Sequence, residues 1–229
     1  MERLTPKKAI GYSIILVLIP LFIAGGAFLL ENRQYVWISL CIAVLACVPF
    51  FAVFEKKTAD VRRMVVLAVL VALSVLGRFA FSFVPHFKPV TAIVILAGLY
   101  LGAESGFLCG ALSAFLSNFF FGQGPWTPFQ MLGWGIIGFF AGLFSKPLRK
   151  HLSLLLLYGG FAGAIFSLLM DVWTVLWLDG SFLFARYAAL VAAALPVTAI
   201  YAASNLIFLL LLARPLGKKL DRIERKYGL

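Results

Sequence analysis

Acidic residues are scarce in this chain: 9 Asp and Glu stand against 20 Lys and Arg, with only 2 His and 3 Cys. That poverty excludes most enzyme chemistry. Intramembrane hydrolysis needs a Ser-His pair or two aspartates, and metal-assisted hydrolysis needs a His/Glu cluster. The apolar stretches hold one Asp, Asp171, and no His. A glycine-rich phosphate loop with its Lys is missing. Cys41, Cys47 and Cys109 lie inside apolar runs at spacings that suit neither a disulfide framework nor a metal site, and are expected to be small packing residues. Internal repeats, heptads and low-complexity tracts are absent as well. Loops this short leave no room for a separate nucleotide-binding domain. No catalytic residue, metal or cofactor is expected.

What the chain has in quantity is apolar length. It is 63% hydrophobic, and its apolar runs repeatedly reach the roughly 20 residues needed to cross a bilayer, which predicts an all-α membrane protein of about eight spans. The formal charge of +11 would suggest nucleic acid in a soluble protein. Here the placement of the charge points to the bilayer instead. Lys and Arg gather at Arg3, Lys7 and Lys8; at Lys56, Lys57, Arg62 and Arg63; at Lys146, Arg149 and Lys150; and from Arg214 to Lys226. These clusters fall at every second hydrophobic boundary, while the other boundaries carry only Arg33, Lys88 and Arg186. The positive-inside rule then puts both termini of a multi-pass plasma-membrane protein in the cytoplasm. The first apolar run lacks a small-residue cleavage pattern and is expected to be a retained helix rather than a signal peptide.

Two spans, 9–30 and 36–54, form an N-terminal hairpin around Glu31–Gln34 and are expected to face lipid. The charged stretch Glu55–Arg63 breaks the hydrophobic pattern and separates this hairpin, residues 1–56, from a six-span core, residues 57–229. The core spans are placed at 64–84, 90–103, 106–121, 128–146, 153–177 and 187–213. The connection Gly102-Ala-Glu-Ser-Gly106 between two short spans suggests a hairpin dipping from the outside face, with a cavity at the outer end. Gly98, Gly102, Gly106 and Gly110 recur every four residues, as do Gly138 and Gly142, a spacing that lets helix backbones approach closely.

An ionisable residue inside a span needs a partner or a wet cavity. Arg78 and Asp171 are the two clear cases, both in the outer half, either paired with each other or facing one cavity. The stretch Ser117–Met131 packs amides, aromatics and backbone-shaping Gly and Pro into one outside turn. Pro125 and Pro128 limit its freedom while Gly122 and Gly124 permit close approach, so Asn118, Gln123, Trp126, Thr127 and Gln130 are candidate contacts to a polar, partly aromatic solute. A helix start with an interfacial Trp anchor is the plainer alternative. The loop Val84–Pro89, with Lys88, can close over the same cavity. His86 is expected to be a solvated loop histidine, and His151 carries no chemistry.

From about residue 64 to 220 the sequence resembles the substrate-binding S components of energy-coupling factor (ECF) vitamin transporters. The features that carry the likeness are the six-span core, Ala68-x-x-x-Ala72 in its first helix, the stretch from Lys88-Pro89-Val-Thr91 through Gly98 to Gly102-Ala-Glu-Ser-Gly106, and Ser204-Asn205 ahead of a basic tail. The Gly122–Gln130 turn looks most like the branch associated with cobalamin uptake. The resemblance implies a subunit that captures a vitamin, cobalamin in first place, and relies on a transmembrane coupling subunit and two ATPase subunits for energy. It implies that Ala68 and Ala72 contact the coupling subunit. Cobalamin's amide side chains would suit Asn118, Gln123 and Gln130, and Trp126 would give a flat contact. The extra N-terminal hairpin departs from the six-helix pattern. A structural or assembly protein without a solute, or a stand-alone carrier using Asp171 as a proton site, are the competing expectations.

Overall fold

A computed structural model of the chain describes residues 6–29, 41, 45 and 59–227. The second expected span, the turn at Glu31–Gln34, Cys47 and the first part of the charged Glu55–Arg63 stretch lie outside the described residues. Every regular element among those described is helical: α1 (Pro6–Ser13), a π-helical turn (Ile14–Leu18), α2 (Ile19–Leu29), α3 (Ala59–Ala80), α4 (Val90–Leu101), α5 (Ala103–Phe121), α6 (Thr127–Leu143), α7 (Ser145–Lys150), α8 (Leu152–Asp179) and α9 (Phe184–Tyr227). Among the described residues, three helices are long and apolar enough to cross a membrane, within α3, α8 and α9. Shorter apolar helices accompany them at the N-terminus and at α4 and α6. The protein is an all-α membrane protein.

The bundle is organised around α4. Its sequence VTAIVILAGLYL is apolar on every side, and all of it except Tyr100 is buried, as expected of a helix with neighbours on all faces. α3, α5, α6 and α9 pack around it. Glycine makes the tightest of these contacts possible. A Cβ on Gly98 or Gly106 would overlap the carbonyl oxygen of Gly138, and one on Gly142 would overlap the Ala103 backbone. The four-residue glycine spacing is therefore the crossing point of α4, α5 and α6.

Element ends depart from the sequence reading in three places. α3 begins at Ala59 rather than 64, so Arg62 and Arg63 ride on its first turns; charge at a solvent-facing helix start does not break a helix. The last helix does not stop at 213 but continues through Pro215 to Tyr227. Pro215 removes one backbone donor, and the extension is held by buried Leu220 and by Arg149, which reaches Asp221 at 2.9 Å and Glu224 at 3.0 Å. The Gly102 turn, third, lies beside Arg63, while Tyr100 stacks under Arg149 and abuts Gly217. Its tip thus reaches the basic end of the bundle instead of stopping short of it. Gly102 takes φ 88°, a conformation suited to glycine.

The N-terminal helix is not simply lipid-facing. Ile15 and Ile19 are fully buried, and Tyr12 meets Phe139 of α6 edge-on at 4.9 Å between centroids.

Candidate functional site

At the end opposite the basic clusters, three segments bring polar groups together: the C-terminal end of α3, the turn from α5 to α6, and the loop from α3 to α4. Arg78 is the centre. Its Nη1 donates to Ser117 Oγ and, at 2.7 Å, to Asn118 Oδ1. Its guanidinium lies over the rings of Phe121 and Trp134, at 4.6 and 5.3 Å. It makes no ion pair with Asp171. The positive charge is instead held by neutral oxygens and π faces.

The α5–α6 turn is knotted by its own side chains. Asn118 Nδ2 donates to Thr127 Oγ1 at 2.8 Å and to Gln130 Oε1 at 2.9 Å. Thr127 donates to Gln123 Oε1 at 3.0 Å, and Gln123 Nε2 donates to the Phe115 carbonyl at 2.9 Å. Gly124 seats the Trp126 indole, which a Cβ there would overlap. These bonds sort the candidates. Asn118, Gln123 and Thr127 spend their polar atoms on one another, on Gln130, on Arg78 and on the Phe115 carbonyl; Gln130 keeps its amide nitrogen, and Arg78 keeps Nε and Nη2, without a partner among the described residues.

Lys88 is likewise engaged. Its Nζ donates to the Phe81 and Val84 carbonyls at 2.7 and 3.3 Å, capping the end of α3. Burial, followed by the charge of Arg78, holds this ammonium below the ordinary lysine range. Its backbone N–H donates to Ser204 Oγ at 2.9 Å, and Ser204 donates back to its carbonyl at 3.1 Å. The loop is thereby stitched to α9. His86, expected to be merely solvated, takes φ 60° and places Nδ1 3.1 Å from Tyr201 Oη.

Asp171 stands apart on α8, and its Oδ2 is buried without a hydrogen-bond partner. Tyr201 lies within electrostatic reach of both Asp171 and Arg78. Two aromatic series lie in this region, the first running from Arg78 to Tyr201. Trp134 stacks on Phe166 at 4.8 Å, and Phe166 meets Tyr201 edge-on at 5.4 Å. Trp126 meets Trp173 at 5.8 Å, and Trp173 lies along Trp177 at 6.3 Å. Trp126, Gln130 and Trp134 fall on one face of α6 at four-residue spacing. Sequence reasoning missed Trp134, Phe166 and Tyr201, because aromatics in an apolar span look like ordinary core.

Ala68 and Ala72 lie elsewhere. They are exposed on α3 and line an open apolar groove of about 670 Å³ against Leu108, Leu112 and Leu116 of α5.

Helical architecture of this kind defines an all-α membrane protein. The family described as ECF-type riboflavin transporter, S component, matches residues 58–222, and the chain belongs to that family. It is a transporter family, not an enzyme family. Over 104 residues the chain is 33% identical to a UPF0397 protein of Vibrio atlanticus, an alignment covering 43% of this chain and 54% of that relative. The chain thus spans about half the length of the curated relative it matches. No solved structure matches it. The comparison supports the S-component likeness but not the cobalamin branch to which the Gly122–Gln130 turn pointed; much of that turn's amide content goes into holding the turn itself.

Proposed function

We propose that this chain is the solute-capturing subunit of an ECF-type importer in the plasma membrane, with its basic end in the cytoplasm, and that its solute is a flat heteroaromatic vitamin of the flavin class. The observation that carries this reading is the pair of aromatic series beside groups with unused hydrogen-bonding capacity: Arg78, Gln130 and Asp171. A flavin offers a planar ring for Trp126, carbonyl oxygens for the spare donors of Arg78 and Gln130, and hydroxyl donors for Asp171. Asn118, Gln123, Thr127 and Lys88 serve as scaffold. The riboflavin description of the matched family favours the same solute class. Cobalamin would need more free amide partners than this turn leaves. Ala68 and Ala72, in their open groove, are the contact for a transmembrane coupling subunit, which with two ATPase subunits supplies the energy.

The deciding experiment is calorimetric titration of the purified protein with riboflavin, cobalamin and cobinamide. Saturable binding of riboflavin alone is expected. Binding of a corrinoid instead, or of nothing by demonstrably folded protein, would overturn the solute assignment. Uptake in cells lacking the coupling module would overturn the assignment to an ATP-driven importer.

A further inference from the structure

We propose that a second, separate site lies on the lipid-facing side of the bundle, where a groove between α3 and α9 holds an acyl chain of an anionic phospholipid with its headgroup at Lys219. α3 and α9 both pack on α4 but scarcely meet each other. The gap is a groove of about 340 Å³ with Ile93 in its floor, Leu73 on one wall, Phe208 and Leu216 on the other, Phe81 and Pro89 at one end and Lys219 at the other. An apolar groove facing the bilayer is filled by lipid or by another helix. Two features select an anionic lipid.

The first is length. From Phe208 to Lys219 the helix rises about 17 Å at 1.5 Å per residue, close to the roughly 15 Å of one leaflet's hydrocarbon. A chain lying along α9 therefore brings its headgroup to the level of Lys219. The second is charge. Lys219 is exposed, flanked by exposed Lys218 and Arg222. The nearby acids are committed elsewhere: Asp221 to Arg149 and Arg225, and Glu224 to Arg149. Buried Leu220 and the Arg149 bridges fix this part of α9, so the ammonium is held at the groove's mouth rather than on a loose tail. Basic pockets between helices at the cytoplasmic side suit anionic headgroups, and that leaflet supplies them.

This site is distinct from the solute site, although its far end at Phe81 and Pro89 reaches the base of the Lys88 loop; its readout is lipid retention at Lys219, so its test does not depend on the flavin reading. Native mass spectrometry of the full chain in detergent, titrated with phosphatidylglycerol and phosphatidylcholine of identical acyl chains, measures it. Phosphatidylglycerol should be retained about fivefold better, the factor expected from one lysine at a headgroup. Lys219→Gln should abolish that preference and Lys219→Arg preserve it, while Leu216→Trp, which fills the groove, should lower retention of both lipids. Equal retention of the two lipids by the unaltered protein overturns the proposal, as does a preference that survives Lys219→Gln. Displacement of the lipid by millimolar inorganic phosphate would overturn it too, since a headgroup site without a chain in the groove behaves that way. Thermal unfolding of each variant separates loss of the site from loss of the fold, and the comparison within the unaltered protein needs no variant.

Discussion

Arg78 brings a full charge into a helical bundle where no carboxylate among the described residues answers it. Ser117, Asn118 and two aromatic faces share that task, so its spare donors remain able to bind a solute. Replacing it by Gln should weaken solute binding about tenfold or more, because a hydrogen bond to a charged group contributes about 1.5–3 kcal/mol. Asn118→Ala should behave differently. It removes a side chain that bonds Arg78, Thr127 and Gln130 at once, and should lower unfolding stability by about 1–3 kcal/mol through the polar groups left unpaired. Thermal unfolding and calorimetry of both variants separate the two roles. From sequence, Arg78 and Asp171 were legible because charge in an apolar run is conspicuous. The division of labour within Ser117–Gln130 was not, since Gln123 spends its amide on a backbone carbonyl eight residues earlier, a partner that only the folded turn supplies.

Among the elements, α4 shows what periodicity conveys and what it hides. Its apolar run and the recurring glycines announced a tightly packed helix, and Gly98, Gly106 and Gly138 do form the crossing. Gly138→Leu should be severely destabilising, beyond the usual 1–3 kcal/mol of an overpacked core, because the obstacle is the Gly106 backbone rather than a side chain that can turn away. Loss of a monodisperse peak in detergent gel filtration is the expected result. Helix ends were less legible. The extension of α9 past Pro215 depends on Arg149, which sits on α7 far away in sequence. Arg149→Ala should leave the melting temperature little changed, since partly exposed ion pairs contribute about 0–1 kcal/mol each. Amide hydrogen exchange across residues 216–227 should nonetheless speed up.

For the molecule as a whole, the apolar groove beside Ala68 and Ala72 and the polar outer end are separate surfaces, which lets binding and coupling be tested apart. Ala72→Trp should abolish ATP-driven uptake while leaving solute affinity within about twofold, since a bulky ring fills the groove without reaching Arg78. Uptake by reconstituted complex and calorimetry on the isolated chain give the two readouts. The N-terminal stretch was legible as an apolar helix, but its seat on α6 through Tyr12, Ile15 and Ile19 was not, because a lipid-facing and a protein-facing apolar helix differ little in composition.

The fastening of the Lys88 loop to α9 has a kinetic consequence. One hydroxyl, Ser204 Oγ, holds both the N–H and the carbonyl of Lys88, and His86 adds a contact to Tyr201 beside it. On the proposed function, a solute entering beneath this loop waits for those bonds to release. Its observed association rate should then level off as concentration rises, at the opening rate of the loop, instead of climbing in proportion; Ser204→Ala should lift that plateau.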